Sequence, residues 1–439
     1  MTEVTPYVDL TIFPRINYLK NFDARALRRD LNGRIYGLYG QVQIDNEDRY
    51  PEFDGSTCLN EETSFTFDLG PAVTTTPTGV IDLRNDCGIA TIIDLDAADI
   101  AYTISTSGGD FYLRSKDTVD YTVDWGDGSA VESVSSTNDT DANDFPHTYP
   151  TTTTSVSYVI KVNVNSGVYR PYFNNQGDED QITSIAIGAD SAVLGNLLGQ
   201  AFFGASNMVE YTQNFDATST VTTFFRTWSF CSSLTSFPLI DTSSGTQFNE
   251  TWKDNSELTS FPLIDTSNAT SLVGVWRNCS KLESFPLIDT SNVTNLNASW
   301  SGCTLLEAFP LIDTSSSTKF YGCWQYCSSL TSFPAIDASS ATLLRNAWDG
   351  CSSLTTFPAD VFNSTGNLAS NAFASSWRDC ALNDISIQNI LESLDTNGAS
   401  GITLGINGGT NASKTTWSTA ANTAYNSLIT KGWTISYNS

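Results

Sequence analysis

Basic residues are scarce in this chain of 439 residues: 21 Lys and Arg stand against 48 Asp and Glu, giving a formal net charge of −27. So acidic a surface repels nucleic-acid phosphates and anionic lipid, which disfavours binding to either by bulk attraction. Histidine occurs once, as His147, too few for a metal site built on imidazoles. No run approaches the ~20 apolar residues that a membrane-spanning helix needs. The opening MTEVTPYVDL has no charged stretch followed by an apolar one of the kind that directs secretion. G-x-S-x-G, the P-loop and H-E-x-x-H are all missing. We therefore expect no enzyme active site, no cofactor, no nucleic-acid partner and no membrane insertion.

What is abundant points elsewhere. Hydrophobic residues make up 40% of the chain, so the acidity belongs to the surface of folded units rather than to disorder. The length favours several such units. Ser, Thr, Asn and Gly predominate among the rest, a composition typical of proteins that face the outside of a cell or particle.

The words SFPLIDTSN occur at residues 260–268 and again at 284–292. Phe-Pro recurs at Phe237, Phe261, Phe285, Phe309, Phe333 and Phe357, always 24 residues apart, and Trp228, Trp252, Trp276, Trp300, Trp324 and Trp348 keep the same interval. Three residues after each Trp comes Cys231, Asn255, Cys279, Cys303, Cys327 or Cys351, and a final Trp377/Cys380 pair follows an insertion. Phe202, Met208 and Asp216 mark a degenerate first unit. A period of 20 to 29 residues is the mark of a leucine-rich-repeat solenoid, in which each coil is too small to bury its own apolar face and must stack on its neighbours. Within one unit, Leu282, Phe285 and Ile288 suit a short extended segment bent at Pro286, where no strand donor is needed. Val293, Leu296, Trp300 and Cys303 share one face of a helical turn, so each coil is expected to run strand, turn, helix. The Phe and Trp columns are the expected core, and six coils at about 4.8 Å per strand would make a slab roughly 30 Å long.

The unit C-x-x-L-x-x-F-P-x-I-D-x-S-x-x-T-x-[FL]-x-x-x-W resembles the BspA-like leucine-rich repeat of bacterial, mycoplasma and phage surface proteins, over roughly residues 180 to 439. Between residues 101 and 170, Val119, Tyr121, Val123 and Trp125 alternate with polar residues before a Gly126-Asp127-Gly128 turn. VDWGDGS, followed by HTY and YVIKVNV, resembles a PKD-type immunoglobulin-like sandwich, a family of spacers and adhesion modules. That resemblance implies that Trp125 is core, that Asp127 fixes the turn and that His147 to Tyr149 open the next strand.

The expected fold is thus an α/β solenoid over 171–380 with a C-terminal α/β cap over 381–439. An all-β sandwich over 101–170 and an N-terminal attachment region over 1–100 precede it. The cap shields the open end of the stack; it is expected as helix at 385–394, strand at 401–406, helix at 415–431 and strand at 433–436. In the N-terminal region Arg15, Lys20, Arg25, Arg28, Arg29 and Arg34 face only Asp23 and Asp30 between residues 11 and 44, which suggests a docking segment or else a solvated helix face. GPAVTTTPTG at 70–79 reads as a linker or exposed loop.

Three sets of residues invite chemistry. Asp241, Asp265, Asp289, Asp313 and Asp337 would form a carboxylate column; the residue type before Thr-Ser answers first to helix capping or an Asx-turn, and a calcium column is the other reading. The column of cysteines lacks the C-x-x-C pairs of zinc sites and its side chains would point in parallel, so buried free thiols are expected. Cys58 and Cys87 stand apart, either paired or free. For partners, the hydroxyl-rich pairs such as Thr235-Ser236 and Thr259-Ser260 could meet a glycan, whereas the variable residues around each Trp could encode a protein partner. The leading expectation is a non-enzymatic surface protein, a phage virion component such as a fibre, decoration or appendage protein present in many copies, held by its N-terminal region to other particle proteins and turning the solenoid toward a host-surface protein or glycan. A bacterial adhesin, or a carbohydrate-active enzyme in the N-terminal region, are the other readings.

Overall fold

The computed structural model describes residues 99–136, 143–173, 178–188 and 191–439, together with four short strands before residue 99. The chain divides into two compact units, residues 1–100 with 186–188 and residues 101–185 with 189–439. In the first, β1 (Gln41–Gln43) pairs antiparallel with β2 (Thr66–Asp68), and β3 (Val80–Ile81) with β4 (Ile92–Ile93). The six cations from Arg15 to Arg34, and Cys58 and Cys87, lie outside the described residues.

Alternating sequence sets up the strands that follow: β5 (Ile100–Thr106), β6 (Gly109–Ser115), β7 (Val119–Asp124), β8 (Glu132–Ser136), β9 (Asn143–Tyr149) and β10 (Val156–Gly167). Along β5 the residues Ile100, Tyr102 and Ile104 are fully buried while their neighbours are half-exposed, the period of two that a pleated sheet imposes. One sheet has the order β12-β11-β5-β10-β7-β8, with β11 (Ile182–Ile187) and β12 (Glu210–Gln213) supplied from further along the chain; β6 and β9 pair separately. Trp125 is fully buried, stacks on His147 at 4.5 Å and accepts the Tyr149 hydroxyl at its carbonyl, 2.9 Å away. His147 and Tyr149 therefore close β9 rather than open a strand.

The expected boundary after residue 170 does not hold, because the sheet crosses it. β11 and β12 are also the first extended segments of the coils: the Val209 amide donates to the Thr183 carbonyl at 2.9 Å, and Tyr211 stacks on Phe237 at 5.5 Å. The physical reason is the open edge that any stack of coils leaves at its end. β5 pairs with β11, and the Thr183 hydroxyl donates to the Thr103 carbonyl at 3.1 Å, so β5 itself covers that edge. The buried ion pair of Arg114 with Asp178 at 2.7 Å ties β6 to the chain entering β11.

Beyond β11 comes the one-turn helix α1 (Ser191–Leu194). From there Leu197, Thr223, Gln247, Ser271, Asn295, Lys319 and Leu343 are joined by successive parallel bridges, one per coil, and Phe373 bridges Leu404 in the cap. No α-helix occurs between Gly195 and Asn383, which corrects the strand–turn–helix expectation. Hydrogen bonding explains why. In the coil of Trp300, the amides of Leu296, Ala298, Trp300 and Gly302 donate across to the carbonyls of Lys319, Tyr321, Cys323 and Gln325, whereas Ser299, Ser301 and Cys303 donate three residues back. Every second amide thus leaves for the next coil, and an i→i−4 ladder has no donors left.

The turns demand left-handed backbone two residues before and two after each Trp. Arg226, Glu250, Gly274, Ala298, Gly322 and Asn346 occupy the first column, and Phe230, Asp254, Asn278, Gly302, Tyr326 and Gly350 the second, all with φ between 54° and 80°. Four of the twelve are glycine and two asparagine, the residues that tolerate this region.

At the far end, α2 (Asp384–Asn397), β13 (Thr403–Ile406), α3 (Thr419–Thr430) and β14 (Thr434–Tyr437) close the stack, with β13 and β14 parallel. Asn383 caps α2 by accepting the Ser386 amide, and Gly398 ends it at φ 80°. The helix expected from Thr415 begins at Thr419, because Ser418 accepts the Ala421 amide and caps it there.

Candidate functional site

The interior of the stack is built from columns. Trp228, Trp252, Trp276, Trp300, Trp324, Trp348 and Trp377 are fully buried and stack face to face, with ring centres 4.9–6.0 Å apart and planes within 11° of parallel. The Phe column from Phe237 to Phe357 stacks at 5.8–6.3 Å and meets each indole nearly at right angles, as aromatic quadrupoles prefer. Among the described residues the indole N–H groups of Trp252, Trp276, Trp300, Trp324, Trp348 and Trp377 are buried without an acceptor, so burial of the ring surface outweighs those unmet donors.

Polar ladders line the flanks of that core. The thiols of Cys279, Cys303, Cys327, Cys351 and Cys380 donate to the carbonyl of the Trp one coil back, at 3.0–3.3 Å. Burial pushes each of these thiols up, Cys327 to about 12, so they stay protonated. They are free cysteines. A second ladder escaped the sequence reading: the buried hydroxyls of Thr218, Thr242, Thr266, Thr290 and Thr314 each donate to the carbonyl of the repeat aspartate in the next coil. The D-T-S word at Asp241, Asp265, Asp289 and Asp313 carried that signal, since a Thr beside four successive repeat aspartates has no reason to recur unless its hydroxyl is used.

The aspartates themselves point outward. Oδ1 of Asp241, Asp265, Asp289, Asp313 and Asp337 accepts the amide two residues on, at 2.8–2.9 Å, and Asp265, Asp289 and Asp313 also accept the serine hydroxyl at 2.7 Å. Those serine bonds hold the Asp313 carboxyl below its usual range. This is Asx-turn geometry, with the second oxygen left to solvent. Among the described residues no group of three or more His, Cys, Asp or Glu is placed to hold a metal ion, and no helix is long and apolar enough to cross a membrane.

On the same outer path lies a feature that sequence reasoning passed over. Leu239, Leu263, Leu287 and Leu311 are 43%, 60%, 62% and 59% exposed, one per coil, directly after the proline. The Phe two residues earlier in each coil stacks on its counterpart, which fixes the register, so the four leucines follow one another in a stripe. Beside them Thr235, Ser236, Thr259, Ser260, Glu283, Ser284, Glu307, Thr331, Ser332, Thr355 and Thr356 are all exposed. The signal was present as the Leu-Ile pair that follows the proline in four successive coils and gives way to Ala335-Ile336 in the next: only the second residue, Ile264, Ile288 or Ile312, faces the core.

Around the Trp column the opposite surface is charged and mixed. Arg226 pairs with Glu250 at 2.9 Å and Arg378 with the buried carboxylate of Asp349 at 2.8 Å, whereas Lys253 bridges Glu250 and Asp254. In the turn after β7, partial burial works to raise the Asp127 carboxyl, but the Ser129 hydroxyl and amide and His147, 2.8 Å away, outweigh it and hold it at about 2. Comparison with protein-family models, with curated proteins and with solved structures finds no match for the chain.

Proposed function

We propose that the chain is a non-enzymatic display protein: a BspA-like leucine-rich solenoid with a PKD-like sandwich as its N-terminal cap, presented in many copies on a virion or comparable surface. The observation that carries this reading is the stack itself. Eight indole- or phenyl-centred layers run from Phe202 to Trp377, and both ends are covered, by β5 on one side and by α2, β13 and α3 on the other. Such an object offers a long, flat, repeating face and spends its buried polar groups on internal ladders rather than on a reactive cleft. The residues before 100, with their cluster of cations between positions 11 and 44, would hold the chain to other particle proteins.

Expression of the full chain in its native host, followed by gradient sedimentation of the lysate, tests this. The chain is expected to travel with particles, and removal of residues 1–98 to release it into the soluble fraction. A chain that sediments alone in both cases overturns the display reading. The exposed Thr and Ser columns favour one second reading, an adhesin that binds a regular glycan; retention on a glycan array by the chain alone would support it.

A further inference from the structure

The leucine stripe is not an ordinary surface. Four large aliphatic side chains stand about half in solvent or more on four successive coils, whereas a lone exposed Leu would need no explanation. Charge frames the stripe on both sides. Two residues after each leucine stand Asp241, Asp265, Asp289 and Asp313, and four residues before the two later ones stand Glu283 and Glu307. None of these carboxylates forms an ion pair among the described residues, although nearby Glu257 takes Lys281 at 2.5 Å.

Two copies of this face cannot cover each other well, because pairing the leucines would bring the acidic columns together without a counter-charge. A cationic partner meets no such penalty. The repeat also sets a length scale: coils rise about 4.8 Å, close to the ~5.4 Å pitch of an α-helix. A helix laid along the stack places one apolar residue over each leucine and slips by only about 2 Å across four coils. Its flanking Lys and Arg then reach the Asp column on one side and the Glu pair on the other.

We infer that the stripe Leu239–Leu263–Leu287–Leu311 is the docking surface for a basic amphipathic helix of about four turns, with apolar residues at i, i+4, i+7 and i+11. This deepens the display reading, naming the face that engages and the class of partner it takes.

The test titrates the full chain with a synthetic 16-residue helical peptide that carries leucines at those positions and Lys or Arg on both sides, followed by fluorescence anisotropy. A second peptide of identical composition scatters the leucines around the helix. The first peptide is expected to bind at least about tenfold more tightly than the second, since one buried Leu is worth roughly a decade in affinity. Leu263→Ser with Leu287→Ser, both at exposed positions, should abolish that preference. Asp265→Asn, Asp289→Asn and Asp313→Asn keep the Oδ1 acceptor of each turn, so the coils stand; they should weaken binding and flatten its dependence on salt. Equal affinity for the two peptides would show charge attraction alone and overturn the proposal. So would an undisturbed preference in the leucine variant, or a dimer in sedimentation that the same variant dissolves, which would make a second copy the occupant. Particle association is read separately, so failure here leaves the display reading standing.

Discussion

Asn255 takes the place that cysteine fills in the neighbouring coils, and replacing it should strengthen the stack. The residue is fully buried, its Oδ1 accepts the Cys231 amide at 3.0 Å, and its Nδ2 has no partner among the described residues. A buried amide left unmet costs about 1–3 kcal/mol. In Asn255→Cys the thiol can donate to the Trp228 carbonyl as Cys279 does to that of Trp252, at 3.1 Å. The Cys231 amide, losing Oδ1, can turn to the Trp228 carbonyl three residues back, as the Cys279 amide does to Trp276 at 3.1 Å. One weak bond is thus exchanged for another while the orphan disappears, a net gain of about 1–2 kcal/mol. For a cooperative unit of this size that raises the melting temperature by about 2–4 °C per kcal/mol. The assay is near-ultraviolet circular dichroism during heating under reducing conditions, with a thiol count on the native protein. The substitution should raise the midpoint and add no reactive thiol. A lower midpoint, or a new thiol open to reagent, would refute the ladder reasoning.

Truncating Trp300→Ala opens a cavity between Trp276 and Trp324 and should cost about 3–5 kcal/mol, read as loss of hydrogen-exchange protection in the adjacent coils first. Thr266→Val keeps the shape but strips the buried donor from the Asp289 carbonyl, 2.6 Å away, at about 1–3 kcal/mol; chemical denaturation monitored by tryptophan fluorescence measures it. Gly350→Ala adds a Cβ at φ 76° that runs into the Tyr326 ring, so at least about 1–2 kcal/mol is lost in the same assay, whereas Ala298→Gly at φ 54° should be neutral or stabilising. In the turn after β7, the carboxyl of Asp127 sits at about 2, below the ordinary 3.8. A depressed acid contributes stability that is complete above the unfolded value and lost as pH falls from about 4 toward 2. Asp127→Asn should therefore flatten the acid limb of the stability curve in that window, and an unchanged limb would rule the contact out as its source.

Periodicity carried the stack because it is a property of the chain: a Trp and a Phe every 24 residues can share one environment only if the coils repeat. The inside of a coil was less legible. Val293, Leu296, Trp300 and Cys303 have helical spacing, yet buried side chains recur every three or four residues just as well on consecutive tight turns. The distinguishing sign was Gly or Asn two positions either side of Trp, as in GVWRN and NAWDG; it was blurred because Arg226, Glu250 and Tyr326 accept the same strained backbone. The extent of the six-stranded sheet could not be read either, since β11 pairs with β5 about 80 residues earlier, and only folding brings them together. Of the surface, the aspartate column was plain in sequence, but the leucine stripe was masked by the core isoleucine beside each residue.

Electron microscopy of particles carrying this chain, with a gold-labelled antibody against the coils, tests the central claim most directly. Display requires the label in many symmetric copies on the outside of the particle. Particles left bare while the chain stays in solution as single molecules would contradict it.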